Sequence, residues 1–139
     1  MKDNTITTQY IVTPDGVNVS DPKCTKANVL GETYIIIEDN ELNDSRLATC
    51  DGYCDSSTKK IVIRDDLNTR IDLMDAGNLD YCRRQVLRHE LIHAFLSESG
   101  LQVYSQDEVL VDWIASQAEK MFSLFVDNEL LTYRKGESC

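Results

Sequence analysis

The feature of the sequence that most constrains its fold is a run of about twenty residues with helical spacing, residues 80–99. Its apolar residues recur three or four positions apart, as in an amphipathic helix: Val86, Leu87, Leu91, Ala94 and Phe95. Gly100 follows at the position where a left-handed C-terminal cap is expected. The sequence therefore predicts one long helix whose apolar side faces the core.

The same run contains an H-E-x-x-H motif made by His89, Glu90 and His93. Positions i and i+4 share one face of a helix, about 5–6 Å apart at Cβ. Two imidazoles there can bind one metal ion at about 2.0–2.1 Å each. Glu90 is turned about 100° round the helix, so its carboxylate can accept a proton from a water at the open coordination position. In the alternative interpretation, both histidines are surface residues and the motif is a coincidence.

A catalytic zinc site needs a third protein ligand, and the chain has only two histidines. Glu108 stands near the start of a second predicted helix, and Asp112 follows it one turn later. We therefore predict one Zn²⁺ per chain, held by His89, His93 and Glu108. Asp112 is predicted to accept the free ring N–H of a ligating histidine.

Glu108 also has a purely structural interpretation. Ser105 and Glu108 have the spacing of a capping box, in which Ser105 caps the second helix and the glutamate folds back onto the backbone. With Ser105 as the cap, a turn of about five residues separates the two helices. Asp107 and Glu98 are the competing candidates for the third ligand, and Asp112 is otherwise a solvated helix residue.

Three further residues near the motif have predicted roles or positions. Tyr104, in the connection between the helices, is predicted to donate a hydrogen bond to the substrate oxyanion, with simple packing as the alternative. Trp113 is predicted to lie in the core and is given no catalytic role. Cys82 is predicted to be a core residue or to have no role at the site.

The first half of the chain predicts strands and the second half predicts helices. Tyr34 to Ile37 and Lys60 to Arg64 have the composition of strands, and Asp51-Gly52 is a turn signal. A second helix is predicted after Ser105, down to about Asp127, with an apolar stripe. This order indicates an α+β fold, a small twisted sheet packed on an active-site helix and a glutamate helix.

The length of 139 residues fits one folded unit. We divide the chain into an N-terminal extension with a hairpin (residues 1–30), the metal-binding domain (residues 31–131) and a C-terminal tail (residues 132–139). Turn signals in the extension are Thr13-Pro14-Asp15-Gly16 and Asp21-Pro22, and residues 65–79 form a polar connection.

Charge and cysteine content narrow the class of protein. A formal net charge of -10 makes duplex nucleic acid and anionic membranes unfavourable partners, because both attract clustered Lys and Arg. The five cysteines are an odd number with irregular spacing, which is typical of reduced thiols. The start lacks the apolar run of a signal peptide, and no stretch has 18 consecutive apolar residues. We expect a cytoplasmic protein; the sequence leaves its oligomeric state open.

The HELIH motif and the downstream EVLVD segment, which begins at Glu108, resemble the gluzincin branch of zinc-dependent peptidases. Length and spacing are similar to those of minigluzincins and of the ImmA/IrrE-type peptidases often encoded by phages, and the resemblance covers about residues 30–127. It implies zinc ligation by His89, His93 and Glu108, general-base catalysis by Glu90, and support of the histidines by Asp112. A bacterial or phage-infected host cell is the setting that it implies.

The sequence thus predicts a zinc-dependent peptidase in which Glu90 activates a zinc-bound water to attack a peptide or protein substrate. An extended substrate is expected to pair with the strand Lys60–Arg64 by β-augmentation. Two alternatives remain: a zinc-stabilised protein-binding module without turnover, and a metal-free interaction domain. The metal content of the purified protein separates the metal-free interaction domain from the peptidase and from the zinc-stabilised binding module.

Overall fold

Six strands precede the helices in a computed structural model that describes residues 10–12, 18–20, 22–69 and 81–131. Strands β1 (Tyr10–Val12) and β2 (Asn18–Ser20) form an antiparallel pair of their own, the hairpin predicted in the N-terminal extension. The turn signal at residues 13–16 and the tail, residues 132–139, lie outside the described residues.

The main sheet is mixed and contains β3 (Lys23–Val29), β4 (Glu32–Asp39), β5 (Gly52–Asp55) and β6 (Lys60–Arg64). Its spatial order is β3-β4-β6-β5. β6 runs parallel to β4, and the other two pairings are antiparallel. The two central strands carry the apolar segments predicted from the sequence, because a strand with neighbours on both sides is the most buried.

β3 and β4 are joined by a two-residue turn in which both residues have positive φ, 52° at Leu30 and 96° at Gly31. Such a turn suits the twist of an antiparallel hairpin. The boundary drawn at residue 31 falls inside this turn, and β3 on its N-terminal side pairs along its whole length with β4. The main sheet therefore crosses that boundary and includes residues 23–29.

Three helices follow: α1 (Tyr81–Glu98), the single turn α2 (Gln102–Ser105) and α3 (Glu108–Asp127). Short 3-10 helices lie at Ser45–Ala48 and Leu67–Thr69. α1 ends as predicted, with Gly100 at a φ of 83° and the Leu101 N–H donating to Leu96 O at 2.8 Å. The predicted α+β fold is confirmed. No helix in the described ranges is both long and apolar enough to cross a membrane.

The core lies between the sheet and α1. Its buried members are Val29, Tyr34, Ile36, Ile61, Ile63, Leu67 and Ala94, with Cys54, Cys82, Val86, Leu87 and Leu91 packed against them. Cys82 is thus a core residue. Phe95, predicted to face the core, is exposed because it lies one residue, about 100°, beyond Ala94 on the helix.

α3 packs antiparallel to α1. Arg88 of α1 donates to Ala115 O at 3.0 Å and forms an ion pair with Glu119 one turn further along α3. The side of α3 that faces α1 is marked by the fully buried Val111 and Ala115. The prediction that Trp113 lies in the core is wrong: the residue is 57% exposed, since it stands on the opposite side of the helix from that pair.

Three local predictions fail for reasons of hydrogen bonding. Gly52 is not in a turn but begins β5, where it pairs with Ile63. The connection between α1 and α3 is not a plain turn, because the N–H groups of Tyr104 and Ser105 both donate to Leu101 O and close the helical turn α2. β6 cannot accept an added strand as predicted for Lys60–Arg64, since β4 and β5 already occupy both of its edges.

Candidate metal centre and its cleft

The two histidines of the H-E-x-x-H motif lie on one side of α1, as four-residue helical spacing requires. Their Nε2 atoms are 3.0 Å apart, and the rings meet edge to face with centroids separated by 4.8 Å. Both side chains are largely shielded from solvent. The ring nitrogens therefore converge on one point.

Glu108 reaches the same point from α3. Its Oε2 lies 3.0 Å from His89 Nε2, and its Oε1 lies 3.3 Å from His93 Nε2. Ligand atoms that surround a tetrahedral zinc at about 2.0–2.1 Å stand about 3.3 Å from one another. These three residues, with ligand atoms all within 4.8 Å of one another, could hold a metal ion.

The capping interpretation of Glu108 is wrong, because Asp107 occupies that role. The Asp107 carboxylate accepts from the Leu110 N–H at 3.1 Å, which makes Asp107 the N-cap and Glu108 the first residue of α3. The other competing ligand, Glu98, accepts from the Tyr34 hydroxyl at 2.7 Å and pairs with Lys59. Both competitors are thus engaged away from the histidines.

Hydrogen bonds set the tautomer of each ring. His93 Nδ1 lies 2.6 Å from Ser105 O, and a carbonyl oxygen can only accept, so the Nδ1 of His93 carries the proton. His89 Nδ1 donates in the same way to Asp112 Oδ1 at 2.7 Å. In the neutral rings both Nε2 lone pairs then face each other and the Glu108 carboxylate. Such a cluster of acceptors is repulsive unless a cation lies between them, which is the arrangement of a metal site.

Glu90 lies beside the cluster and is 5% exposed. The pKa of Glu90 is raised to about 7, chiefly by burial; the charges of Glu108 and Asp112 contribute to the rise, and His89 acts in the opposite direction. A cation between the histidines would oppose that rise and favour the ionised carboxylate. The position and environment suit a group that takes up and releases a proton.

A cleft runs along α1 between β5 and α3. One cavity of about 350 Å³ lies over the His93 side and is bounded by Cys54, Ser97 and Ser105. A second, of about 290 Å³, continues past His89 toward Gln85 and Asp112. The three candidate ligand residues and Glu90 thus stand at the middle of an elongated opening.

β5 forms the wall of the cleft opposite the metal cluster. Gly52, Tyr53 and Cys54 of β5 line the cavity, together with Cys50 just before the strand. Burial raises the pKa of the Cys50 thiol and raises that of Cys54 to about 12, so both thiols are neutral near pH 7. Among the described residues β5 is the edge of its sheet, so its outer backbone groups face the opening.

Tyr104 lies on α2, is exposed, and is not among the residues that line either cavity. Its role toward an oxyanion stays a prediction. Ser105 beside it is buried and holds His93 twice, through the ring contact and through its hydroxyl, which donates to His93 O at 3.0 Å. The sequence signal for Ser105 was its helix-capping pattern, which pointed to a different function.

Comparison with protein-family models, curated proteins and solved structures finds no match to this chain. The resemblance to gluzincins carried by HELIH and EVLVD therefore stays a prediction. What is established for the site is its geometry: two imidazoles, one carboxylate in reach of both, a buried glutamate and a cleft.

Proposed function

We propose that the protein is a zinc-dependent peptidase. The observation that carries the proposal is the convergence of His89, His93 and Glu108 on one point with the buried Glu90 at its side. Two nitrogen ligands and one carboxylate form a donor set that zinc favours, and three protein ligands leave a fourth position open for chemistry. A purely structural zinc site has four protein ligands and no use for a buried glutamate beside it.

Zinc bound there supplies a Lewis acid that polarises the scissile carbonyl. The chain's own residues transfer the proton and orient the two rings. Glu90 accepts a proton from the attacking water as the new C–O bond forms, and it passes that proton to the leaving amine as the C–N bond breaks. Asp112 and the Ser105 carbonyl keep the two rings oriented throughout.

The cleft supports an extended peptide as the substrate. Within the part of the chain that the structure describes, β5 is an edge strand along one wall, and a peptide in strand conformation can add to such an edge through backbone hydrogen bonds. Successive side chains on such a peptide would point alternately toward the cleft floor and toward solvent. We therefore expect the substrate to pair with β5 and not with the interior strand β6.

A reducing compartment such as the cytoplasm suits this assignment. The four described cysteines, Cys24, Cys50, Cys54 and Cys82, are free thiols, and two of them line the cleft. Thiols of this kind persist where glutathione and thioredoxin keep them reduced.

The test begins with elemental analysis of protein purified without a metal-affinity column, which should give close to one zinc per chain. His93→Ala should lose stoichiometric zinc, since two remaining ligands hold the ion poorly. Parent and Glu90→Gln protein are then incubated with a library of unstructured peptides and the products identified by mass spectrometry. We expect cleavage by the parent and none by Glu90→Gln, although both carry zinc.

Glu129→Gln, a change at an exposed glutamate far along the chain, is the matched control and should cleave like the parent. Zinc in both the parent and Glu90→Gln, with cleavage by neither, would favour the binding-module alternative. Equal cleavage by parent and Glu90→Gln would show that Glu90 is not the base.

A further inference from the structure

The C-terminal end of α3 and the four residues after it, residues 121–131, form an apolar surface that we name the α3 end. Every residue in this stretch is exposed. Seven of the eleven are large and apolar, from 37% exposed at Phe125 to 68% at Leu130: Met121, Phe122, Leu124, Phe125, Val126, Leu130 and Leu131. The stretch is therefore a helical end with apolar side chains and no covering layer among the described residues.

The first half of the same helix is packed in the ordinary way. Val111 and Ala115 are fully buried against α1, and Arg88 of α1 forms an ion pair with Glu119 further along α3. Beyond Glu119 the helix continues for two more turns to Asp127. Helices in proteins owe most of their stability to packing of an apolar face, so an all-round apolar end is typical of a segment covered by something else.

We propose that a second copy of this chain covers the α3 end, forming a two-fold dimer in which the two α3 ends pack antiparallel. The exposed apolar area of the seven side chains is on the order of 600 Å², estimated from about 150–250 Å² for a fully exposed aromatic residue. That is the upper limit for the largest apolar patch on a typical monomer, and it approaches the about 800 Å² that each partner contributes to a standard interface.

Charge favours a second copy at this surface over a membrane. The chain carries a formal net charge of -10, but residues 121–131 contain only two charged side chains, Asp127 and Glu129. Two copies can thus meet here with little of the repulsion that other faces would bring. Both charges are negative, which disfavours an anionic lipid surface.

The arrangement leaves the cleft open. Glu108 and Met121 are thirteen residues apart on the same helix, about 20 Å at 1.5 Å per residue. The metal cluster stands at the start of α3 and the proposed interface at its end, so a peptide can enter the cleft of each copy of the dimer. Because the two surfaces are separate, the dimer does not depend on the proposed peptidase activity.

The test is the mass of the full chain in solution, measured by sedimentation velocity over a dilution series. The parent should sediment as a dimer, at twice the 15.8 kDa of one chain, and dissociate on dilution. Phe122→Glu combined with Phe125→Glu should be monomeric over the same series, with unchanged helical circular dichroism and unchanged zinc content. Those last two measurements separate loss of the interface from loss of the fold.

Leu42→Glu is the matched control, because Leu42 is 71% exposed and lies outside α3, in the turn after β4. It should remain dimeric. A monomeric parent at all concentrations overturns the proposal, as does a dimer that survives the double change or is lost in Leu42→Glu. Sedimentation of a monomeric parent with vesicles of neutral phosphatidylcholine would assign the surface to a membrane and equally overturn it.

Discussion

His89 and Asp112 are joined by a 2.7 Å hydrogen bond between Nδ1 and Oδ1 that links α1 to α3. The contact leaves the other nitrogen of His89 facing His93 and Glu108. A single carboxylate thus determines which nitrogen of the ring is available and holds it in place. Asp112 stands one turn after Glu108 on α3. The candidate ligand and the hydrogen-bond partner of His89 therefore both depend on the packing of α3 against α1.

Asp112→Ala should weaken zinc binding by about 10- to 100-fold, which is the usual effect of removing the partner of a ligating histidine. The fold should persist because Asp112 is exposed. Competition against a chromogenic chelator measures the change. Asp127→Ala, on the same helix but away from the site, is the control, and an equal loss in both variants would remove the specific role of Asp112.

Glu108 and Asp107 are neighbours with opposite expected phenotypes. Glu108→Ala should abolish tight zinc binding and leave the apo-protein about as stable as the parent, because Glu108 is largely exposed. Asp107→Ala should keep zinc affinity and lower the free energy of unfolding by about 0.5–2 kcal/mol, since it removes the cap of α3. Chelator titration and urea unfolding, run on both variants, distinguish them. A reversed pattern would mean that α3 begins in a different register.

Gly52→Ala should lower the free energy of unfolding by about 1–3 kcal/mol through overpacking. A Cβ there would lie 3.0 Å from Val62 O and 3.1 Å from Val86 Cγ1 of α1. The glycine therefore lets β5 approach α1 closely enough to form the cleft wall. Urea unfolding of Gly52→Ala, Val86→Ala and the double variant measures the coupling free energy between the two positions. The double variant should lose less free energy of unfolding than the two single variants lose together. Strict additivity would show that Val86 is not the obstacle.

Glu98 should make the fold sensitive to acid. Its bond to Lys59, and then that from the Tyr34 hydroxyl, lower the pKa of Glu98 below its ordinary value of about 4.3. Because the folded pKa is depressed, this stabilisation is present above the unfolded value and is lost as the pH falls through the folded one. The stability difference between parent and Glu98→Gln should thus be largest near neutral pH and disappear in acid.

Urea unfolding at several pH values, with a chelator present to exclude zinc effects, measures that difference. Glu129→Gln, at an exposed glutamate of the single chain, serves as the control for a change of the same kind away from Lys59 and Tyr34. A difference between parent and Glu98→Gln that stayed constant down to strong acid would show that the Lys59 contact carries no net stabilisation.

Much of the site was predictable because it depends on local geometry. Helical spacing alone puts His89 and His93 on one face and turns Glu90 aside, whatever the rest of the chain does. The strand Lys60–Arg64 and the cap at Gly100 were predicted for the same reason: each follows from residues adjacent in sequence. The fold class followed from the order of these elements along the chain.

Other features depended on contacts between segments far apart in sequence. The spacing from Ser105 to Glu108 favoured a cap, and only the packing of α3 against α1 decided that Asp107 caps the helix and frees Glu108 to face the rings. The same packing determined that Trp113 is exposed. An apolar stripe in the sequence does not indicate which of its residues will pack against another element.

The sequence by itself determined the pair of imidazoles, the adjacent glutamate and the strands and helices that carry the fold. The tertiary structure decided the third candidate ligand, the partners Asp112 and Ser105 of the two rings, and the choice of β5 over β6 as the free sheet edge. The physical reason is the separation along the sequence of the residues that interact. Backbone hydrogen bonds within a helix are set by near neighbours, whereas strand order and helix packing minimise the exposed apolar surface of the whole chain.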